Sequence, residues 1–431
     1  MTSEQKTVQV DYVARVEGEA LIDVKVDNGE IKELKLNIWE PPRFFEGFLV
    51  GCKYSDVPDI VSKICGICPV AHMITSCRAV ENAMSFAPSQ QTRRLRDLLA
   101  WSQNLSSHVL HVYFLAAPDF LGYDSAITML PKYGDVVKRA LKMKTVANEL
   151  TTVVGGRAVA PPACVVGGFT RLPSEDALKR SREALKGIKQ DAVETVKLVS
   201  QLKLPDFERE TEFVAVRGEK EYAINEGYLC SSKGIKAPER EFRKYIAEVQ
   251  APHSNAKWSK VAGRDSFQVG ALARVNLNQD QLSEDSKSAI EESGFKFPTT
   301  NSFAITAAQA IEIIQSIDAC ISIIDEILPL KEDKQSVTVA PGEGYAITEA
   351  PRGLLYHNYR INRKGYIEKA DIVSPTAHNS LNMENDLKAL VQKYIDLPTE
   401  KLTFLCEQLI RAYDPCFSCS VHSLKVKITK Y

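Results

Sequence analysis

The chain has 431 residues and a formal net charge of -1, with 54 basic and 55 acidic residues interspersed along it. Because the basic residues are not clustered into a patch, nothing in the composition indicates nucleic-acid binding. The length suits about three domain-sized units at roughly 150 residues each. Met1 is not followed by the apolar stretch of a signal peptide, and no run approaches about 18 apolar residues, so we expect a cytoplasmic protein without a membrane span.

Residues 1–54 are predicted to form an antiparallel β region. Between residues 7 and 38 apolar and polar side chains alternate with the period of a strand, and the DNG sequence at residues 27–29 is a strong hairpin-turn signal. We therefore expect a pair of strands, which carries Glu17.

Residues 55–202 are predicted to form a helical bundle. Residues 92–115 have the helical period. Their apolar residues on one side are Leu95, Leu98, Leu99, Leu105, Val109 and Val112. Ser174 is a capping signal, and the helical pattern after it continues to about Leu202. Such helices are typical of a bundle core.

The rest of the chain completes an α+β fold. Residues 203–300 are predicted to be an irregular, mixed α/β insertion, because short alternating runs are mixed with Gly and Pro. Residues 301–422 form a helical and C-terminal region, and residues 423–431 form a C-terminal extension. Helices are predicted at residues 306–328, 381–395 and 403–412. The last of them leads into Cys416.

Two CxxC pairs stand near opposite ends of the chain, Cys65 with Cys68 and Cys416 with Cys419. Four thiolates select zinc, an iron–sulfur cluster or another thiophilic metal, and they exclude calcium and magnesium. Paired CxxC motifs are most often structural zinc, but structural zinc modules place their halves within about 15 to 20 residues. The wide spacing favours a functional metal. A zinc-stabilised structural or interaction subunit of a redox complex, without its own catalysis, is the alternative.

Six further cysteines show no pairing spacing, and in a reducing compartment they are expected to be buried thiols. They are Cys52, Cys77, Cys164, Cys230, Cys320 and Cys406.

Six segments, in order, resemble the large (catalytic) subunit of nickel–iron hydrogenases of the cytoplasmic multimeric type: NAD(P)-linked, sulfhydrogenase-like or electron-bifurcating. KICGICPVAH and DPCFSCSVH resemble the family motifs RxCGxCxxxH and DPCxxCxxH. The other segments are RVEGEA at 15–20, GGRAVAPP at 155–162, APRG at 350–353 and SPTAHN at 374–379. The resemblance covers essentially the full length and implies the hydrogenase large-subunit fold, which the complex I homologue shares. The four cysteines count against a metal-free scaffold of that kind.

The resemblance implies a nickel–iron centre with carbon monoxide and cyanide ligands on the iron. Cys65 and Cys416 would be terminal ligands of nickel, while Cys68 and Cys419 would bridge the two metals. A separate magnesium or iron ion would lie near the C-terminal histidine. Its protein ligands would be His422 and Glu46.

Five further residues have roles that the resemblance implies. Glu17 would relay protons beside a terminal cysteine, and Arg352 would lie over the open face of the metals. Pro351 and Thr376 would line the pocket for the diatomic ligands, and His72 would hydrogen-bond a bridging sulfur. Considered without the motifs, each polar side chain has an ordinary alternative: an exposed carboxylate, a surface salt bridge, a turn hydroxyl or a core histidine.

The implied activity is that of an oxidoreductase, the reversible heterolytic cleavage of H2 to protons and electrons. The chain has no further cysteine cluster, so electrons would pass to an iron–sulfur small subunit, then on to NAD(P) or ferredoxin through diaphorase-type subunits. No GxGxxG follows a strand, which argues against nicotinamide binding by this chain. SLKVKITKY follows His422. In the family a maturation endopeptidase removes such a tail after nickel-insertion proteins have acted.

Overall fold

The fold is known from a computed structural model, which describes residues 5–10, 12–332 and 336–421. It has the predicted α+β class: a helical core, an N-terminal antiparallel sheet and a mixed insertion. The division of the chain into the regions named above stays a prediction.

The N-terminal sheet has three antiparallel strands in the order β1-β2-β3. They are β1 (Gln5–Val10), β2 (Ala20–Asp27) and β3 (Glu30–Ile38). Asn28 and Gly29 have φ angles of 52° and 75°, as the tight turn between β2 and β3 requires. The prediction that a strand carries Glu17 is wrong. Glu17 lies in the loop between β1 and β2, where the turn-forming Gly18 interrupts the ladder, and it forms an isolated bridge with Cys416.

Eight helices lie between this sheet and the insertion. They are α1 (Phe45–Leu49), α2 (Val57–Val61), α3 (Pro69–Ala83), α4 (Gln90–Leu110), α5 (Ala117–Leu121), α6 (Ala126–Gly155), α7 (Glu175–Lys186) and α8 (Lys189–Ser200). The predicted helix at 92–115 is α4 with a π-helical turn at His111–Ala116. All six of its predicted apolar residues are buried.

The helix predicted after Ser174 is in fact two helices. Ser174 caps α7 as expected, because its hydroxyl accepts a hydrogen bond from Ala177 N at 3.2 Å. The helical pattern continues through Gly187, but the backbone turns there, and α8 starts after Ile188. Glycine destabilises a helix interior, so the helix is interrupted at Gly187, where the helical conformation is least stable.

The insertion contains short strands and small helices, as predicted. The antiparallel pair β9 (Ile246–Gln250) with β10 (Lys257–Val261) lies in the insertion, whereas the pair β4 (Cys164–Val165) with β5 (Gly168–Phe169) precedes it, before α7. A four-stranded sheet has the order β11-β6-β7-β8. Its strands are β6 (Glu212–Arg217), β7 (Tyr228–Ser231), β8 (Lys236–Ala237) and β11 (Phe267–Gln268). The helices are α9 (Phe242–Tyr245), α10 (Ala271–Asn278) and α11 (Glu284–Ser293).

The C-terminal region combines three helices with an antiparallel sheet of order β12-β13-β14. The elements are α12 (Ile305–Ile327), β12 (Gly342–Ala350), β13 (Gly353–Ile361), β14 (Ile367–Val373), α13 (Pro375–Lys393) and α14 (Thr399–Ala412). Helix α13 begins earlier than predicted, because Ser374 caps it and Pro375 occupies its first turn.

A large hydrophobic core joins the N-terminal sheet to the helices, and it includes residues from Val8 to Val421. Helix α12 packs on α4 inside this core. The stretch Ser302–Ile327 is long and apolar enough to cross a membrane by length and composition alone, but 78% of its most apolar window is buried in the protein. That burial is typical of a core helix.

Candidate metal centre

The fold brings the two CxxC pairs together. Cys65 lies in the turn before α3, and Cys68 is the N-cap of that helix. Cys416 and Cys419 follow α14, in and beside the 3-10 turn Phe417–Val421. The sulfurs of Cys65 and Cys416 are 3.5 Å apart, although 351 residues separate them. The sulfurs of Cys65, Cys68 and Cys419 all lie within 4.8 Å of one another, and all four cysteines are buried.

The first pair is arranged to favour a thiolate. The hydrogen bond from the Cys68 thiol lowers the pKa of Cys65 to about 7 against the effect of burial. The Arg352 guanidinium and the backbone N–H groups of Ile67 and Cys68, which point at the Cys65 sulfur from 3.3 and 3.2 Å, act in the same direction. Cys416 and Cys419 are joined as a disulfide. Metal binding requires this pair as thiolates as well. Four converging, buried sulfurs then form a donor set that fits a nickel–iron centre.

Glu17 contacts the second pair directly. The Cys416 sulfur lies 3.0 Å from Glu17 Oε2, and Ser418 N donates to the same oxygen at 3.3 Å. The Ser418 hydroxyl donates to the other carboxylate oxygen. The backbone N–H of Phe417 donates to Glu17 O at 2.9 Å. The half-buried carboxylate is thus fixed between a cysteine sulfur and a serine hydroxyl.

Arg352 is buried beside the cysteines and oriented by Asp414. Its Nε and Nη2 donate to Asp414 Oδ1 at 3.1 and 2.7 Å, and Nε also donates to the Asp414 carbonyl at 2.6 Å. Burial lowers the pKa of Arg352, but Asp414, Cys65 and Cys68 together raise it above its usual value, so the group remains a cation. Nη1 is buried and has no hydrogen-bond partner among the described residues. A buried donor of this kind is suited to a ligand at the centre.

A buried ion network holds the backbone next to Arg352. Arg274 donates to the carbonyls of Ala350 and Pro351 at 2.9 and 3.0 Å. It also pairs with Glu312 at 2.6 Å and with Glu349 at 2.9 Å. Burial raises the pKa of Glu349 to about 7, whereas Arg274 overcomes the burial of Glu312 and lowers its pKa to about 2. Arg274 therefore holds the turn between β12 and β13, which consists of Pro351 and Arg352.

Pro351 directly precedes Arg352, and Thr376 lies next to Cys416. The Pro351 carbonyl accepts a hydrogen bond from Arg274 Nη2 at 3.0 Å. Thr376, in the first turn of α13, is 2% exposed, and its hydroxyl accepts a hydrogen bond from Cys416 N at 2.9 Å. The hydroxyl proton remains for a second partner.

Glu46 lies on α1. Its Oε1 accepts a hydrogen bond from Ile372 N at 2.8 Å. Just before α1, Arg43 N donates to Val421 O at 3.0 Å, so α1 begins next to the last described residue. His422 itself lies outside the described residues, as does the extension at 423–431.

His72 is fully buried on α3, one turn after Cys68. Its Nδ1 lies 3.2 Å from His357 Nε2.

Several residues of this site were not among the predicted ones. Asp414 stands inside the DPC motif, so the motif itself could have indicated it. Arg274, Glu312 and His357 offer no such signal, because each is distant in sequence from its partner in the site.

The prediction for the other cysteines is mostly correct. Five of the six are buried thiols, but Cys52 is only half-buried. Cys77 and Cys164 are free buried thiols as predicted, and each influences the pKa of the other through a hydrogen bond. Their distance along the chain concealed this contact.

A model of the nickel-dependent hydrogenase family matches residues 43–139 and 247–422. The chain belongs to that family. The two matched stretches contain the four cysteines and Arg352, whereas Glu17 precedes them.

Two relatives extend this hydrogenase match over nearly the whole chain. The alpha subunit of sulfhydrogenase 1 from Pyrococcus furiosus is 36% identical over 425 residues, covering 97% of this chain and 98% of the relative. The alpha subunit of sulfhydrogenase 2 from the same organism is 34% identical over 422 residues, covering 97% and 100%.

Solved hydrogenase structures share the fold. An NAD+-reducing [NiFe]-hydrogenase in the H2-reduced state matches with a TM-score of 0.90 at 22% identity, covering 97% of this chain and 99% of that one. The reduced Ni-Fe-Se hydrogenase from D. vulgaris Hildenborough matches with a TM-score of 0.81 at 26% identity, covering 97% and 100%. The predicted activity is therefore confirmed: this hydrogenase chain is a catalytic large subunit, an oxidoreductase that acts on H2. The comparisons give no support to the zinc-stabilised alternative.

Proposed function

We propose that this subunit cleaves and forms H2 with Glu17 as the proton carrier between Cys416 and the protein surface. The observation that carries the proposal is the 3.0 Å contact between Glu17 Oε2 and the Cys416 sulfur, across 399 residues of chain. A carboxylate held on a cysteine sulfur is a general base for a proton that arrives there. The nickel–iron centre, when bound, supplies the hydrogen-binding and electron-accepting chemistry.

With Cys416 and Cys419 reduced, as metal binding requires, the proposed proton path begins at the sulfur of Cys416. Glu17 takes up the proton on Oε2 and can release it from either oxygen. The Ser418 hydroxyl on the other oxygen gives the carboxyl a second hydrogen-bonding partner. Because Glu17 is half-buried, one side chain reaches from the cysteine sulfur toward the edge of the site.

Arg352, Thr376 and Pro351 are proposed to hold the small ligands of the iron. The free Nη1–H of the guanidinium and the remaining proton of the Thr376 hydroxyl are donors for cyanide, and the Pro351 ring is an apolar contact for carbon monoxide. Arg352 would also orient the base that receives the proton of H2. Asp414 keeps the guanidinium in one orientation for both tasks.

A second ion, magnesium or iron, is proposed between Glu46 and His422. The approach of Val421 to the start of α1 supports this pairing, because it brings the neighbour of His422 close to the helix that carries Glu46. We further propose that a maturation endopeptidase removes residues 423–431 after nickel-insertion proteins have loaded the site.

Electrons are proposed to leave through an iron–sulfur small subunit. The two sulfhydrogenase relatives each bear the name of an alpha subunit, which supports an enzyme of several subunits. We propose diaphorase-type subunits beyond it, with NAD(P) or ferredoxin as acceptor, since a structure of similar fold is an NAD+-reducing enzyme. A cytoplasmic location is also proposed, because the free buried thiols suit a reducing compartment.

The Glu17→Gln variant tests the proton path. The amide keeps the size of the side chain but cannot accept a proton, so H2 uptake is expected to fall by about 100-fold or more. Nickel and iron contents should not change. Activity and metal content are measured on the anaerobically purified enzyme.

Glu19→Gln is the matched control, since it removes a carboxylate from the same loop. Glu19 lies two residues further on, and its backbone N–H donates to Glu40. This variant is expected to keep full activity. A fully active, metal-loaded Glu17→Gln enzyme would contradict the proton path.

A further inference from the structure

Three buried side chains form a hydrogen-bonded row behind the first CxxC pair. His72 Nδ1 lies 3.2 Å from His357 Nε2, and His357 Nδ1 lies 2.6 Å from the Tyr359 hydroxyl. His72 and His357 are both 0% exposed, as is Tyr359. Neither His357 nor Tyr359 belongs to the six motifs, so the function described above assigns them no task.

The row is built by one helix and one strand. His357 and Tyr359 are two residues apart on β13, so they point to the same face of the sheet. Helix α3 crosses that face, and His72 meets it one turn after the N-cap Cys68. Tyr359 packs in the same buried cluster as the four cysteines.

The chemistry of the three side chains decides which group donates each hydrogen bond in the row. Burial raises the pKa of Tyr359 above its usual value, so the side chain remains a phenol. A phenol is a strong donor and a weak acceptor, whereas an unprotonated imidazole nitrogen is a good acceptor. Tyr359 therefore donates to His357 Nδ1. The proton of His357 is then on Nε2, which donates to His72 Nδ1.

The consequence for His72 is a fixed tautomer. With Nδ1 occupied as an acceptor, a neutral His72 carries its proton on Nε2, on the far side of the ring from β13. The ring contact with His357 also restrains the plane of His72, since the two ring centroids lie 5.4 Å apart. Outer hydrogen bonds of this kind orient the groups around a metal and change their electron donation.

We propose that His357 and Tyr359 are positioning residues that fix the tautomer and orientation of His72, and so adjust the electron density at the thiolates of the metal centre. The inference rests on the proposed nickel–iron centre with diatomic ligands. It adds a task for two side chains that never touch the metals.

Tyr359→Phe and His357→Gln test the inference in the complete enzyme, purified anaerobically. Tyr359→Phe removes one hydroxyl and keeps the ring, so the donor to His357 is lost with little change in packing. His357→Gln breaks the direct contact with His72. The readouts are the infrared bands of the iron-bound carbon monoxide and cyanide, the nickel and iron contents, and the melting temperature.

Tyr356→Phe is the matched control. Tyr356 is a buried tyrosine of the same strand, but it lies on the opposite face and stacks on Phe242 with ring centroids 4.1 Å apart. We expect both test variants to shift the infrared bands, His357→Gln more than Tyr359→Phe, while Tyr356→Phe leaves the bands in place.

Different outcomes would contradict the role of His357 and Tyr359 and the proposed nickel–iron centre. Loaded test variants whose bands coincide with those of the unmodified enzyme would overturn the inference. If His357→Gln fails to fold or to load, Tyr359→Phe alone decides. Absence of such bands from the unmodified enzyme would instead overturn the proposed centre.

Discussion

Arg352 illustrates how single residues of this site depend on partners that are distant in sequence. Its charge is buried, and Asp414 compensates it from 62 positions along the chain. A buried guanidinium without such a partner is costly, because water no longer solvates it. The position of Arg352 thus follows from a pair, and half of that pair adjoins the second CxxC motif.

Asp414→Asn is expected to destabilise the chain by about 3–5 kcal/mol, the usual cost of breaking a buried ion pair. The amide keeps the shape of the side chain but leaves the charge of Arg352 uncompensated. Denaturant unfolding of the variant and the unmodified chain measures the difference. Asp59→Asn is the control, since Asp59 pairs with Lys63 at the surface, and its loss should be below about 1 kcal/mol. Equal losses in the two variants would refute this account.

The sequence was informative about residues wherever a motif contains them. The four cysteines, Glu17 and Arg352 stand in short segments whose order is specific, so their roles followed from resemblance. His357 and Arg274 could not be predicted in this way. Each acts through a contact between distant elements, and no local pattern marks such a contact.

Elements, rather than single residues, bring the two halves of the centre together. The loop before β2 and the turn after α14 meet through the bridge between Glu17 and Cys416. Gly18 permits this approach, because a Cβ at its position would lie 2.8 Å from Ser418 N. Gly18 also has a φ angle of 84°, which favours glycine.

Gly18→Ala is expected to displace the turn that carries Cys416 and therefore to lower the nickel content of the enzyme. Gly29→Ala is the matched control. Gly29 also has a positive φ, 75°, but a Cβ there meets nothing within 4 Å. The control should lose about 1 kcal/mol of stability and no nickel. Metal analysis after anaerobic purification distinguishes the two, and equal nickel contents would refute the proposed role of the close approach.

Element boundaries were predicted well at α7, where the cap Ser174 was recognised, and poorly at α13, whose cap Ser374 was not. Ser174 marked the start of α7 correctly. The apolar pattern ran through Gly187, and so the sequence did not disclose the break before α8. Glu17 was assigned to a strand, because alternation around it continues past the turn at Gly18.

At the scale of the whole molecule, the centre requires the complete fold. Its cysteines come from both ends of the chain, and they pack in one buried core with residues of α2, α3 and the β12-β13-β14 sheet. Conditions that unfold the core therefore also separate the two halves of the metal site.

His378 makes the stability of this fold depend on pH. Burial lowers its pKa to about 3, although its Nδ1 contacts the Leu354 carbonyl at 2.9 Å. In the unfolded chain the pKa is about 6.5, so below that value the unfolded state binds the proton first. Stability from this group is present above about pH 6.5 and is lost as the pH falls toward 3.

The expected loss from His378 is about 2 kcal/mol between pH 7 and pH 5. Denaturant unfolding at the two pH values, on the unmodified chain and on His378→Asn, measures it. The variant should be less sensitive to acid by that amount, since asparagine does not titrate. The same pH dependence in both chains would contradict the assignment.

The measurement that tests the central claim most directly is an infrared spectrum of the enzyme purified anaerobically from its own host. Carbon monoxide and cyanide bound to iron absorb in a region where protein groups do not. The account predicts bands of both ligands, together with bound nickel. A chain that contains zinc at the four cysteines and shows no such bands would contradict it.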